Sequence, residues 1–215
     1  VPGTNLVLTR SKTAMRDGAL VWLDKNTKKP AEKWKMFLFE REIDSDHKVN
    51  CEHGSVLSSG DGIHWKFHSH TGHCGDNSSF YYDQFRKKWI YSVRSFGDGI
   101  GRMRSYFETE DFFDCQWKKD EPIKWLACDK VDKPDPAIDF APQLYDFNAA
   151  PYESLMLGIF AIMRGPENDV CEKHGIPKTN DLEIAFSRDG INWFRPETEA
   201  PFLRASRKDG AWDKG

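Results

Sequence analysis

The sequence has almost no helical periodicity, no long apolar run and no paired cysteines, and each absence removes a class of protein. No apolar stretch approaches the ~20 residues that a membrane-spanning helix needs, so no membrane association is expected. The five cysteines, Cys51, Cys74, Cys115, Cys128 and Cys171, are odd in number and include no C-x-x-C pair. They make no disulfide framework, and at least one thiol is expected to be unpaired within the chain. Basic charge is not in excess: 31 Lys and Arg stand against 34 Asp and Glu, a formal net charge of −3. Nucleic-acid binding would show as a basic stripe, so no nucleic-acid partner is expected. No G-x-S-x-G elbow, Walker loop or dinucleotide fingerprint occurs. Gly97-Asp98-Gly99-Ile100-Gly101-Arg102 is glycine-rich, but it follows a strand-like run with no helix behind it, and it reads as a loop between strands. Val1-Pro2-Gly3-Thr4 shows no signal-peptide pattern. The compartment stays open, with a secreted or periplasmic location favoured.

What the sequence does have is aromatic residues and repetition. Aromatics make up 13% of the chain and include 8 Trp. Such rings stack on sugar faces, but filling a core is their commoner role. Short runs rich in Val, Ile, Phe, Tyr and Trp alternate with Gly, Pro, Asn and Asp, the pattern of strands and turns. Ser59-Gly60-Asp61-Gly62-Ile63-His64-Trp65 recurs as Ser187-Arg188-Asp189-Gly190-Ile191-Asn192-Trp193, about two 64-residue units further on. A degenerate middle copy is read at Glu110-Asp111-Phe112-Phe113-Asp114-Cys115-Gln116-Trp117. In S-x-D-G-x-x-W the Asp caps a turn, the Gly accepts positive φ, and the Trp packs back onto the sheet. Turn chemistry explains every residue, so the motif is read as a blade-edge turn and not as a site.

A second repeat is a strand that ends in Arg. Its copies are Lys35-Met36-Phe37-Leu38-Phe39-Glu40-Arg41, Trp89-Ile90-Tyr91-Ser92-Val93-Arg94 and Gly158-Ile159-Phe160-Ala161-Ile162-Met163-Arg164. The two repeats set one frame of antiparallel units, the signature of propeller blades. The expected fold is all-β: a single partial β-propeller domain over residues 1–215, with about three blades of a five-bladed ring. Blade 1 covers about 17–67, blade 2 about 75–134 and blade 3 about 135–196, and 197–215 starts a further blade. Three blades cannot close a ring, which takes four to eight. The remaining blades are expected from a longer chain or a partner subunit.

These turns, three-strand units and acids at blade starts resemble the five-bladed propeller glycoside hydrolases, the group of invertase-like and arabinanase-like enzymes. The chain is most similar to uncharacterised bacterial proteins resembling the invertase-type N-terminal domain. The anchors of the likeness are Gly75-Asp76-Asn77-Ser78-Ser79-Phe80-Tyr81-Tyr82 with Arg86-Lys87-Lys88-Trp89, and Tyr152-Glu153-Ser154-Leu155-Met156-Leu157-Gly158. The resemblance implies three carboxylates, one from each of the first three blades, serving as nucleophile or base, transition-state stabiliser and general acid. Asp17 opens the first strand of blade 1, and Asp76 opens blade 2 in the same register. Glu153 is the choice for the third, with Asp139 as the alternative under a strict strand count. Asn-Asp-Pro is absent around Asp17, and Gly75-Asp76-Asn77 stands where the group has Arg-Asp-Pro.

Strand B runs antiparallel to strand A, so Arg41, Arg94 and Arg164 are expected on the face that carries Asp17 and Asp76. Guanidinium groups there would either hold the carboxylate or sulfate of an acidic sugar or pair with neighbouring acids. His68-Ser69-His70-Thr71-Gly72-His73-Cys74 is dense in metal-ligand types, but no second ligand pair has a metal-site spacing. The run is read as a loop before Asp76, with His68, His70 or His73 lining the sugar pocket as a hydrogen-bond donor or proton relay, His73 being the choice. No cofactor and no resident metal are expected. The leading function is a glycoside hydrolase acting on a glycan, with an acidic or sulfated one favoured. The alternatives are a non-catalytic carbohydrate-binding propeller and a structural or protein-interaction propeller.

Overall fold

In the computed structural model the described residues are 3–9, 11, 13–175, 178–196, 200–206, 208 and 210–213. They form three antiparallel sheets, each a meander in which neighbours in sequence are neighbours in space. The first contains β1 (Ala14–Leu23), β2 (Trp34–Ile43), β3 (Val49–Ser59) and β4 (Lys66–His73). The second contains β5 (Ser79–Asp83), β6 (Lys88–Gly97), β7 (Gly101–Thr109) and β8 (Ile123–Leu126). The third contains β9 (Gln143–Tyr152), β10 (Leu155–Arg164) and β11 (Thr179–Ser187). The fold is all-β, and the sheets are three propeller-type blades, as the repeats predicted. A short α-helix, α1 (Asn168–His174), follows Arg164 and ends on Gly175 in the left-handed conformation. No helix among the described residues is long and apolar enough to cross a membrane. Of the stretch expected to start a further blade, residues 197–199, 207, 209, 214 and 215 lie outside the described residues. Its described part bridges the third sheet through Leu203 and Leu182.

The repeated turns form as their chemistry requires. Asp61 Oδ1 accepts from the backbone N–H groups of Ile63 and His64, at 2.8 Å each. Asp189 Oδ1 does the same for Ile191 and Asn192, at 2.9 and 2.7 Å. Gly62 and Gly190 both have positive φ, 77° and 68°, the conformation glycine adopts without strain. In the middle copy Asp111 Oδ1 still accepts from the N–H of Phe113 at 3.0 Å, but the glycine position holds Phe112, which is fully buried.

The His68–Cys74 run is not the connecting loop expected from the sequence. Lys66–His73 forms β4, paired to β3 through Ser55↔His70 and Val56↔Ser69. β3 therefore carries partners on both edges, and the histidines become cross-strand neighbours of β3 side chains.

By packing, the chain divides into two compact units. One comprises Val1–Tyr81, Lys87–Val93 and Tyr106–Ile123; the other comprises Tyr82–Arg86, Arg94–Ser105 and Lys124–Gly215. The first unit has an aromatic core in which Phe80, Trp89, Tyr91 and Phe112 meet at ring-centroid distances of 4.8–6.1 Å. The buried Tyr91 hydroxyl donates to the Phe112 carbonyl at 2.5 Å, so its polar end is satisfied. In the second unit Phe147 sits among Trp125, Phe160 and Trp193 at 4.7–5.2 Å. The same unit holds Arg195 in a two-pronged pair with Asp132, at 2.6 and 2.7 Å. Among the described residues no cysteine is in a disulfide; Cys74 and Cys115 are buried.

Candidate functional site

The register of β1 against β2 places the first acid. Arg16 pairs with Glu40 and Ala19 with Leu38, so Asp17 and Gly18 together face the single residue between them on β2. This is a β-bulge, and Gly18 supplies its positive φ of 93°. Bulges re-aim a side chain, and here the re-aimed chain is Asp17. Its carboxylate accepts from Arg41 Nη1 at 3.0 Å. The same guanidinium donates through Nε to Glu52, its direct cross-strand partner on β3, at 2.9 Å. Its third nitrogen, Nη2, donates to Asp76 at 3.1 Å. Asp76 lies in a turn between β4 and β5, closed by the Ser78 N–H to Gly75 carbonyl bond, with Asn77 at a φ of 54°. The Arg41 guanidinium also stands over the Phe39 ring, 4.8 Å from its centroid.

Arg41 is therefore a hub for three carboxylates from three chain segments of the first unit. Burial would lower its pKa; the hydrogen bonds to Asp17 and Glu52 and the charge of Asp76 outweigh that and raise it. The two terminal nitrogens of a planar guanidinium are close together, so Asp17 and Asp76 oxygens bound to them lie roughly 8 Å apart at most. Paired carboxylates of glycoside hydrolases lie about 5–9.5 Å apart. The side chains differ in exposure, 58% for Asp17 and 19% for Asp76, which sets a wet acid beside a half-buried one.

The structure brings together Asp17, Asp76 and Arg41, and His73 bonds the backbone of Glu52, the third acid of the hub. His73 Nδ1 donates to the Glu52 carbonyl at 3.1 Å, which leaves Nε2 as its acceptor nitrogen. The other expected residues are each described within the second unit. Arg164 is committed to the buried Asp181 at 2.7 Å and to the Lys133 carbonyl at 3.3 Å. The half-buried Arg94 stands over Phe96 at 5.3 Å. Glu153 is exposed at the tip of the β9–β10 hairpin, with a φ of 48°. It sits at the opposite end of β10 from Arg164, about 30 Å away along an extended strand. Asp139 is an exposed loop acid whose N–H donates to the Asp135 carbonyl at 2.8 Å.

Three features escape sequence reasoning. Glu52 joins the Arg41 hub only through the β2–β3 register. Asp146 flanks a second bulge on β9: it pairs with Ala161 and Leu144 pairs with Ile162, so Tyr145 is the extra residue. Burial raises the pKa of Asp146, against the opposing pull of Arg104, whose Nη2 is 3.9 Å away. The third feature is a cluster of Glu40, His53 and His70, whose donor atoms all lie within 4.8 Å of one another. Burial, and then the neighbouring His53, lower the pKa of His70. His68, alternate to it on β4, goes elsewhere: it bonds Ser58 at 2.8 Å and stacks on Phe113 at 3.9 Å. The signal available for the cluster was the dense His run, but the run alone does not name its partners.

No protein-family profile matches the sequence, and no curated protein matches it. Solved structures share its fold at low identity. An N-acetylgalactosamine deacetylase from F. plautii, solved with blood group B trisaccharide, matches with a TM-score of 0.64 and 14% identity, over 99% of this chain and 60% of that one. A structure named only as a glycoside hydrolase matches with a TM-score of 0.58 and 11% identity, over 94% of this chain and 61% of that one. The chain thus spans about 60% of the length of the structures it matches.

Proposed function

We propose that this chain is part of a glycan-acting hydrolase in which Asp17 and Asp76 are the reacting carboxyls and Arg41 positions them. The observation that carries the reading is the single guanidinium bonded to both acids, at 3.0 and 3.1 Å. Glycoside hydrolysis needs two carboxyls flanking one bond in different protonation states. An exposed acid and a half-buried acid, fixed to a common cation, supply unequal surroundings. His73, bonded through Nδ1 to the Glu52 carbonyl, keeps Nε2 for a sugar hydroxyl. The likeness to a glycoside hydrolase and to a deacetylase of an amino sugar points to the same class of substrate.

In this reading Arg41 orders acids of its own chain and does not bind an acidic sugar. Arg164, tied to Asp181, serves likewise. A preference for acidic or sulfated glycans therefore becomes a question for a substrate panel. The same hub favours one other reading, a non-catalytic carbohydrate-binding blade set, because a guanidinium that saturates the carboxylates also stabilises them as a fixed polar surface. A panel of neutral, uronic and sulfated glycans separates the two. Asp76→Asn and Asp17→Asn are expected to lower the hydrolysis rate about 10²–10⁴-fold while binding and the far-ultraviolet circular dichroism persist. Cleavage by Asp76→Asn at the wild-type rate overturns the catalytic assignment.

A further inference from the structure

We propose that Glu40, His53 and His70 form a binding site for one divalent transition-metal ion of the zinc type. The three residues come from β2, β3 and β4 of the first unit. Cross-strand pairing sets Glu40 opposite His53, and Ser55 opposite His70. The imidazoles are tilted against each other with centroids 4.0 Å apart.

Among the described residues hydrogen bonding accounts for most of the cluster and leaves one buried atom over. Glu40 accepts from Arg16 Nε at 2.9 Å and from the Ser55 hydroxyl. The Ser55 oxygen is also 3.1 Å from His70 Nδ1. His53 Nε2 is 2.9 Å from Glu42, a carboxylate that accepts only, so Nε2 carries the proton. His53 Nδ1 then holds a lone pair, and among the described residues it is buried without a hydrogen-bond partner, in a residue only 5% exposed. A buried polar atom left unsatisfied calls for a missing partner. A metal ion is a partner that an imidazole lone pair takes. Glu42 is placed as the outer carboxylate of a carboxylate–histidine–metal arrangement, which fixes the tautomer and ring orientation of a ligating histidine.

The donor set selects the ion. Two imidazoles and one carboxylate are a zinc-type set with three protein ligands and an open fourth position. Calcium and magnesium take oxygen ligands and are disfavoured by two nitrogens. Zinc bonds of about 2.0–2.1 Å hold tetrahedral donors roughly 3.4 Å apart. The present limit of 4.8 Å is closed by side-chain rotation of an ångström or so. His70 is exposed while Glu40 and His53 are buried, so the set is anchored on one side and open on the other. It opens into a polar cavity of about 350 Å³, lined also by Ser11, Thr13 and Asn50. The open position is thus supplied with room for water or a small oxygen donor.

The test uses the full chain, reduced and stripped with chelator, and its readout is metal binding, separate from glycan hydrolysis. Zinc titration calorimetry is expected to give one ion per chain, and cobalt substitution to give visible d–d absorption. His70→Ala removes the exposed ligand without opening the core, and is expected to weaken zinc binding at least about 100-fold with an unchanged far-ultraviolet spectrum. Glu42→Gln, which alters only the outer carboxylate, is expected to weaken it about 10–100-fold. Absence of saturable zinc binding by the wild type overturns the proposal. So does a His70→Ala protein that binds as tightly as wild type, or a near-ultraviolet cobalt–thiolate band, which would place the ion on cysteines.

Discussion

Replacing Arg41 tests whether the hub is a working part of the molecule or a surface coincidence. Its side chain is 19% exposed, against 26% for Glu52, 19% for Asp76 and 58% for Asp17. A unit-charge pair about 4 Å apart attracts by about 4 kcal/mol at an effective dielectric of 20, and desolvation offsets most of that. The pair with the exposed Asp17 contributes at most about 1 kcal/mol. The other two lie between the exposed limit of about 0–1 kcal/mol and the 3–5 kcal/mol cost of orphaning a buried charge. Arg41→Met leaves three carboxylates facing one another and is expected to cost about 2–4 kcal/mol. Arg41→Lys keeps the charge, but an ammonium lacks the planar fork that spans three acceptors, so about 1–2 kcal/mol is expected. Urea unfolding at pH 7, in low salt and again in 1 M salt, measures both. High salt screens the attraction in the wild type and the repulsion in the variant, so the deficit should shrink. An Arg41→Met protein within 0.5 kcal/mol of wild type (the scatter of ordinary surface changes), or a deficit indifferent to salt, refutes the reasoning.

Two further outcomes follow from packing and burial. A Cβ at Gly72 would stand 2.1 Å from the Trp117 carbonyl oxygen, a backbone atom that cannot rotate away; Gly72→Ala is expected to lose about 1–3 kcal/mol in urea unfolding, and a neutral result means that β4 does not pack as described. Burial raises the folded-state pKa of Asp146, so stability is full below the unfolded carboxyl pKa of about 3.9 and is lost as pH rises through the folded value. Asp146→Asn, which cannot ionise, should therefore melt higher than wild type at pH 7, with the gap closing near pH 3.5; a gap that widens on acidification sinks this account.

What the sequence made legible was what is local in sequence. The S-x-D-G-x-x-W turns were readable because Asp61 bonds N–H groups two and three residues on, and Asp189 repeats the pattern. The buried run before Arg41 was readable because it is contiguous, but its expected end was not: β2 runs on to Ile43 and β6 past Arg94 to Gly97, and only β10 ends at its arginine, Arg164. Glu153 shows the opposite case. Its anchor marked it as the third acid, but it lies at the turn before β10, where a strict strand count puts it, and adopts a positive φ there, which glycine or asparagine would have advertised and glutamate does not. The Glu40, His53 and His70 cluster depends on the register of β3 against two neighbours, including the irregularity between His53 and Ser55. A slip of one residue would turn the histidines to the other face, so no spacing rule could have assembled them.

The hub on which Asp17 and Asp76 meet has a counterpart that bears on how such chains place acids. In the first unit Asp17 occupies a bulge on β1, and a guanidinium from the next strand holds it at 3.0 Å. In the second unit, taken by itself, Asp146 flanks a bulge on β9 with the fully buried Arg104 guanidinium 3.9 Å away. A bulge in the first strand of a sheet thus carries an aspartate in the first unit and adjoins one in the second. What differs is the surroundings. Asp17 is more than half exposed and directly hydrogen-bonded to its arginine, whereas burial outweighs the arginine at Asp146 and favours its protonated form. Acid–base chemistry needs carboxyls whose environments differ in this way. A repeat fold can therefore set aspartates at or beside similar bulges while their burial differs. Repetition made the strands of this chain easy to read, and its acids hard to assign.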